Sequence, residues 1–156
     1  MEKTNVMRIL DQKKIKYSDF SLDVGEGMTG EEIALALHED PNQAFKTLVT
    51  IGKSGNHYVF VIPVNRELDL KKAAKHVKEK SIEMIKQKEL LPLTGYIHGG
   101  CSPIGMKKTF STTVHESAKT FSQIYFSAGK VGVQVLVAPS DLEKVIRLTY
   151  ADICVS

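Results

Sequence analysis

One stretch of the chain, at residues 94–108, reads TGYIHGGCSPIGMKK. It holds four of the eleven glycines and one of the five prolines. Glycine and proline at this density break regular helices and favour tight turns. Small side chains also let a ligand lie against bare backbone, whose N–H groups can hold an oxyanion or a phosphate. The stretch is therefore either an ordinary glycine-rich connection or one wall of a binding site.

Two shorter pieces share features with this stretch. Residues 127–132 read SAGKVG, which again combines small residues with a lysine, and a strand-like run lies on each side. Residues 45–49 read FKTLV and place Lys46 at the start of a probable strand. Taken alone, Lys46 is typical of a surface lysine.

These three pieces, in this order, resemble the YbaK/EbsC family of aminoacyl-tRNA deacylases, which is related to the editing domain inserted in bacterial prolyl-tRNA synthetases. The resemblance runs from about Phe20 to Asp152. It implies an α/β fold in which a mixed, curved, half-open barrel-like sheet is surrounded by helices. The mixture of strand-like and helical patterns, without strict βαβ alternation, predicts the same class.

The resemblance also implies an activity, the hydrolysis of mischarged Cys-tRNA(Pro). In the cysteine-specific branch of the family the substrate's own thiol attacks its ester carbonyl, so that the enzyme needs no nucleophile. Lys46 would be the catalytic residue and would hold the terminal ribose or the carbonyl. The substrate-binding residues would be Phe20, Thr47, Gly99, Gly100, Ser127 and Gly129.

Two positions depart from the family pattern. Val131 replaces a common arginine, and Gln134 stands where related deacylases often have aspartate. These departures leave two alternatives open: an alanyl-tRNA(Pro) deacylase, and a non-catalytic module that binds RNA or the synthetase. The glycine loops add a third, an enzyme that binds a nucleotide or phosphate. The implied partners are the 3′ end of aminoacyl-tRNA and prolyl-tRNA synthetase.

Length and composition predict one soluble domain over residues 1–156. The sequence has neither a signal-like apolar start nor 18 successive apolar residues, so we expect a cytoplasmic protein that does not enter a membrane. Residues 46–108 carry 12 basic and 5 acidic side chains, a net charge of +7. This charge is compatible with a polyanion such as RNA, although lysine-rich faces are usually just solvated.

Conventional catalytic signatures are missing from the sequence. The two cysteines have no CxxC spacing, the five histidines show neither HxH nor HExxH, and there is no GxSxG or Walker A motif. We therefore predict neither a metal nor another cofactor. Cys101 is a conceivable nucleophile but more simply a small residue beside a turn, and His98 is the one histidine beside the glycines.

The periodicity of apolar residues predicts the order of elements. Helices are expected at 3–15, after the Thr29–Glu32 capping box, after Asp69, at 81–89 and after Pro139, where residues 140–143 form a second box. Inward faces are expected to include Ile33, Ala36 and Leu37 in the second helix and Leu70, Ala73, Ala74 and Val77 in the third. Strands are expected at 17–23, 46–51, 57–62, 112–115, 123–127 and 131–138, the second and third forming a hairpin.

Overall fold

A computed structural model describes residues 2–24 and 27–156. Within these ranges the chain forms five α-helices, eight strands and a 3₁₀ turn at Glu116–Thr120. The helices are α1 (Asn5–Gln12), α2 (Gly30–Ala36), α3 (Leu70–Val77), α4 (Gln87–Thr94) and α5 (Pro139–Val145). The strands are β1 (Ser18–Ser21), β2 (Phe45–Gly52), β3 (His57–Pro63), β4 (Ile82–Met84), β5 (Ser111–His115), β6 (Ile124–Lys130), β7 (Val133–Val137) and β8 (Leu148–Ala151).

The larger sheet is built on the predicted hairpin. β2 and β3 pair antiparallel along their whole length, and the strand order is β4-β2-β3-β5-β8. β5 lies parallel to β3, and β8 lies parallel to β5, so the sheet is mixed. β4 covers β2 only at residues 50–52, which leaves the first half of β2 without a strand neighbour on that side in the described chain.

The smaller sheet has the order β1-β7-β6 and is antiparallel. β1 is its edge strand, as the partial alternation of residues 17–23 predicted. A parallel bridge between Ala44 and Tyr125 joins the two sheets just before β2 begins. The strands are divided between these two sheets, which do not close into a barrel, and the predicted mixed α/β class is confirmed.

The main core lies between the two sheets and is closed by α1. Phe126, Val135 and Val61 are fully buried there, beside Val6 and Leu10 of the helix. A second cluster lies on the opposite face of β3, where Phe60 and Ile62 pack under α3. β3 is therefore buried on both faces, which explains its continuous apolar sequence.

The N-terminal caps were predicted correctly at two helices. The Thr29 hydroxyl accepts from the Glu32 amide, and the Glu32 side chain accepts from the Thr29 amide. The Asp69 carboxylate accepts from the amides of Lys71 and Lys72 at 3.0 Å each. These side chains satisfy helix-start N–H groups that would otherwise lack partners.

The helix predicted at residues 81–89 is wrong. The segment begins with β4, whose Ile82 is buried while Glu83 and Met84 are exposed, and α4 follows at Gln87–Thr94. Pairing with the edge of β2 overrides the weak helical pattern, because the ladder bonds satisfy backbone groups that a short helix would leave free. Pro92 lies inside α4 rather than beyond its end.

Three further details differ from the predictions. α5 begins at Pro139 with Ala138 as its N-cap, and no side chain of the described residues caps it, so the box at residues 140–143 does not form. Ala36 and Leu70 were expected to face inward, but both are exposed, and Ala34 is buried instead. β8 was not predicted, because its four residues are only partly buried and show no clear alternation.

Candidate functional site

The gap between the two sheets opens into a cleft of about 490 Å³. One wall is the first half of β2, the opposite wall is β7 with the end of β6, and the start of α2 and the glycine loop complete it. The cleft is thus placed where β4 leaves β2 uncovered. The residues lining it are Val24, Gly27, Met28, Thr29, Gly30, Ile33, Phe45, Lys46, Thr47, Leu48, Val64, Leu90, His98, Gly99, Cys101, Ser127, Val131, Gly132, Val133 and Gln134.

β2 brings Lys46 and Thr47 to this cleft. Successive strand residues point to opposite faces, yet both line the cleft because it opens at the uncovered edge of the strand. Lys46 is half-buried and forms no salt bridge with a carboxylate of the described residues. The Thr47 hydroxyl is buried without a hydrogen-bond partner in the described chain. A buried hydroxyl of this kind is a ready partner for a polar ligand group.

The glycine loop forms part of the rim. Gly99 lines the cleft and has φ +87°, a conformation that side-chain-bearing residues rarely adopt. Gly100 is buried behind it, where an added Cβ would lie 3.1 Å from the backbone nitrogen of Val131. Gly100 therefore packs the loop against the turn between β6 and β7, and it is not among the residues that line the cleft.

β6 carries the next two predicted residues. Ser127 lines the cleft and stands directly opposite Gln134 of β7. Its hydroxyl accepts from the Gly129 amide at 3.0 Å, across the irregularity between Ser127 and Lys130. Gly129 has φ +94°, and a Cβ there would come within 2.9 Å of the Tyr96 ring. Gly129 thus faces away from the cleft and supports Ser127 from behind.

Phe20 lies behind the same wall. It pairs with Gln134 across β1 and β7, and its ring meets that of Tyr125 edge-on with centroids 5.5 Å apart. It does not line the cleft formed by the described residues. Of the seven residues predicted for the site, the cleft therefore brings together Lys46, Thr47, Gly99 and Ser127. Phe20, Gly100 and Gly129 lie outside the lining and pack against the elements that form it.

Cys101 lines the cleft but is poorly suited to act as a nucleophile. The residue is only 9% exposed, and burial raises the pKa of its thiol to about 12. The thiol therefore stays protonated at neutral pH, and the thiolate is the reactive form. His98 lies exposed on the rim. Within residues 2–24 and 27–156, no three His, Cys, Asp or Glu side chains are grouped so that they could hold a metal ion.

Sequence reasoning missed one polar residue beside the cleft, Glu39. It is 6% exposed, and burial raises the pKa of its carboxyl to about 7. When the Gln134 amide is assigned so that its Nε2 faces Glu39, it donates to the two carboxylate oxygens at 2.7 Å and 2.5 Å; the opposite assignment would leave an oxygen facing these oxygens. No sequence signal marked Glu39, because it stands next to Asp40 and Pro41 in what reads as an exposed loop.

Comparison with known proteins places this geometry in a family. Residues 25–145 match the model of the aminoacyl-tRNA editing domain. The chain is 44% identical over 153 residues to EbsC of Enterococcus faecalis, a protein named as a candidate Cys-tRNA(Pro)/Cys-tRNA(Cys) deacylase; the match covers 97% of this chain and 93% of that protein.

Solved structures show the same fold. One is described as a candidate trans-editing enzyme for prolyl-tRNA synthetase; it is 22% identical, covers 99% of this chain and 100% of its own, and has a TM-score of 0.82. A hypothetical protein has a TM-score of 0.87 at 19% identity, over 97% of this chain and 100% of its own. No helix in the described ranges is long and apolar enough to cross a membrane. The family match and the similarity to EbsC lead to one conclusion: the chain belongs to the aminoacyl-tRNA editing domain family.

Proposed function

We propose that this protein is a trans-editing deacylase that releases cysteine from mischarged Cys-tRNA(Pro). The observation that carries the proposal is the content of the cleft: Lys46, Gly99 and Ser127 line it together, and its only cysteine among the described residues is a buried, protonated thiol. Such a site can bind and polarise an ester but offers no activated nucleophile of its own. The similarity to EbsC supports the same substrate.

A cysteinyl ester supplies the missing nucleophile. Its thiol sulfur attacks the ester carbonyl carbon, an S–C bond forms, and the C–O bond to the ribose breaks. The thiol proton passes to the departing ribose oxygen, so the products are a cyclic thioester and free tRNA. Water then opens the thioester to cysteine. Proximity of thiol and carbonyl within one substrate makes this step effectively unimolecular.

Lys46 has the central role in this proposal. Its ammonium would hold the carbonyl oxygen as negative charge develops there, or the terminal ribose beside it. Thr47 and Ser127 would contribute hydroxyl groups, and Gly99 would let the substrate approach the backbone. Phe20, Gly100 and Gly129 would keep the opposite wall and the loop in place, as their positions outside the lining indicate.

Choice of tRNA would come from a partner, prolyl-tRNA synthetase. A cleft of about 490 Å³ suits an amino acid and a terminal nucleoside but cannot enclose a distant anticodon. The net charge of +7 in residues 46–108 is available for the phosphate backbone of the acceptor end. Co-purification of the protein with synthetase and tRNA tests this partner, and failure to form the ternary complex counts against it.

The direct test is release of cysteine from cysteinyl-tRNA that carries the proline anticodon. Wild type, Lys46→Ala and Lys53→Ala should be compared, since Lys53 is an exposed lysine on the same hairpin and a matched control. We expect wild type and Lys53→Ala to release cysteine and Lys46→Ala to lose at least about a hundredfold in rate. Release of alanine from alanyl-tRNA, without release of cysteine from cysteinyl-tRNA, would show ordinary hydrolysis rather than assistance by the substrate thiol. Release of neither amino acid would favour a non-catalytic binding module.

A further inference from the structure

A buried acidic residue, Glu39, lies beside the cleft. The residue follows α2, where the Glu39 amide donates to the Ala34 carbonyl at 2.8 Å and His38 adopts φ +60°. This helix end fixes the backbone of Glu39 and turns its side chain inward. The carboxyl is buried behind β7 and does not itself line the cleft.

Gln134 connects this carboxyl with the cleft. The glutamine lines the cleft, and its Nε2 is committed to the two oxygens of Glu39. The remaining polar atom of the amide is its carbonyl oxygen, Oε1, which is a hydrogen-bond acceptor. When Glu39 is ionised, its carboxylate polarises the amide that donates to it, and Oε1 then becomes a stronger acceptor. The wall formed by β7 therefore presents a hydrogen-bond acceptor, Gln134 Oε1, whose amide nitrogen is bonded to the buried Glu39 carboxyl.

The wall formed by β2 carries a cation, the Lys46 ammonium. Lys46 lines the cleft there, and Gln134 lines it from β7, so a ligand between them experiences a cation on one side and an acceptor on the other. An aminoacyl ester has a matching polarity, since its carbonyl oxygen is electron-rich and its α-ammonium is positive. Lys46 would repel the ammonium and attract the carbonyl oxygen.

From this arrangement we propose that Glu39 is a positioning residue: it orients Gln134 so that Oε1 accepts a hydrogen bond from the α-ammonium of the aminoacyl group. The proposal rests on the proposed function, because it assigns the amino end of that substrate.

The test measures binding of two stable ligands. One is cysteine joined by an amide bond to 3′-amino-3′-deoxyadenosine, and the other is the same compound without the α-amino group. We expect wild type to prefer the first at least about tenfold in dissociation constant, as for a hydrogen bond to a charged group. Gln134→Met, which keeps the length of the side chain but removes the acceptor, should lower that preference to about one.

Variants at Glu39 separate positioning from a structural role. Glu39→Gln should reduce the preference severalfold, and the double variant Glu39→Gln with Gln134→Glu should restore it, because the amide and the carboxylate then exchange places. Glu31→Gln removes the same charge from an exposed site on α2 and should leave the preference unchanged. Thermal unfolding of each variant shows whether the fold is intact.

The outcomes distinguish this inference from the proposed function. A wild-type preference near one, or a preference that survives both Gln134→Met and Glu39→Gln, overturns the inference even if cysteinyl-tRNA is hydrolysed. A preference that is lost in Gln134→Met, falls severalfold in Glu39→Gln and returns in the exchanged pair supports it even if wild type releases no cysteine, in which case the deacylase proposal alone fails. If Glu39→Gln does not fold, the ligand preference is compared between Gln134→Met and the exchanged pair, and the inference fails unless the exchanged pair alone shows the preference.

Discussion

Gly100 lies directly against Val131, and a Cβ on the glycine would come 3.1 Å from the valine's backbone nitrogen. The neighbouring atoms belong to backbone, which cannot rotate away as a side chain could. We expect Gly100→Ala to destabilise the fold by about 1–3 kcal/mol, in the range of overpacked sites. Chemical denaturation of the variant and wild type measures this cost, and an unchanged midpoint would show that the loop does not pack against the turn.

The carboxyl of Glu39 gives the protein a specific dependence of stability on pH. Burial raises its pKa from 4.5 to about 7, so the folded state holds the proton more tightly than the unfolded chain. The stabilisation that this proton gives to the folded state is complete below pH 4.5 and is lost as pH rises through about 7. This change in the free energy of unfolding is at most about 3 kcal/mol, because the Gln134 amide stabilises the ionised form and reduces the effect.

The variant Glu39→Gln should remove this slope. Urea unfolding of the variant and of wild type should be measured at several pH values between 4.5 and 7. As pH rises, wild type should lose stability relative to the variant. Glu31→Gln is the control, since its carboxylate is exposed on α2, the helix that precedes Glu39. A difference that stays constant across the range would contradict the burial of an ionisable Glu39.

His115 produces the opposite dependence. Its Nδ1 accepts from the Ile153 amide at 3.2 Å, and burial and the nearby Arg66 lower its pKa below 6.5. The unfolded chain therefore takes up the proton first, and stability is lost as pH falls below 6.5. We expect His115→Phe to cost about 1–3 kcal/mol at pH 7.5, because the Ile153 amide loses its acceptor, and less at pH 5. Equal costs at both pH values would argue against a neutral, buried imidazole.

The cap of α3 offers a simple test by substitution. Asp69 accepts from two amides at the start of the helix, so Asp69→Ala should lower the free energy of unfolding by about 1 kcal/mol. Asp69→Asn keeps an acceptor oxygen and should cost much less. Thermal unfolding of both variants measures the difference, and equal losses would mean that charge rather than the hydrogen bond matters.

The thiols should be slow to react in the folded protein. Burial raises the pKa of Cys101 to about 12 and also raises that of Cys154. We expect iodoacetamide at pH 8 to label neither within the time that labels both in urea, since the thiolate is the reactive form. Mass spectrometry counts the labels. Rapid modification of Cys101 in the native protein would reopen its role as a nucleophile.

The sequence was most informative where a pattern is local. The β2–β3 hairpin and the caps at Thr29 and Asp69 depend on residues a few positions apart, and each was predicted correctly. The sequence around β4 instead predicts a helix, because the pairing of β4 with β2 joins distant segments, which periodicity alone does not reveal. Resemblance located Lys46, Gly99 and Ser127, which the fold brings to one cleft.

Glu39 could not be found in this way. A glutamate beside Asp40 and Pro41 is typical of an exposed loop, and only the end of α2 turns it inward. Gln134 departs from the pattern that the resemblance implies, but its partner Glu39 lies 95 positions earlier in the chain. Contacts of this kind depend on the packing of the two sheets rather than on any sequence window.

The bridge between Ala44 and Tyr125 has a consequence for folding order. Beside it, the Gln43 side chain donates to the Gln123 carbonyl across 80 positions of the chain. Local hairpins such as β2–β3 require closure of only a short loop, whereas this junction must close a long one and forms more slowly. The two walls of the cleft therefore arise on separate hairpins and meet late, so a nascent or partly unfolded chain would contain both halves of the site without being able to edit.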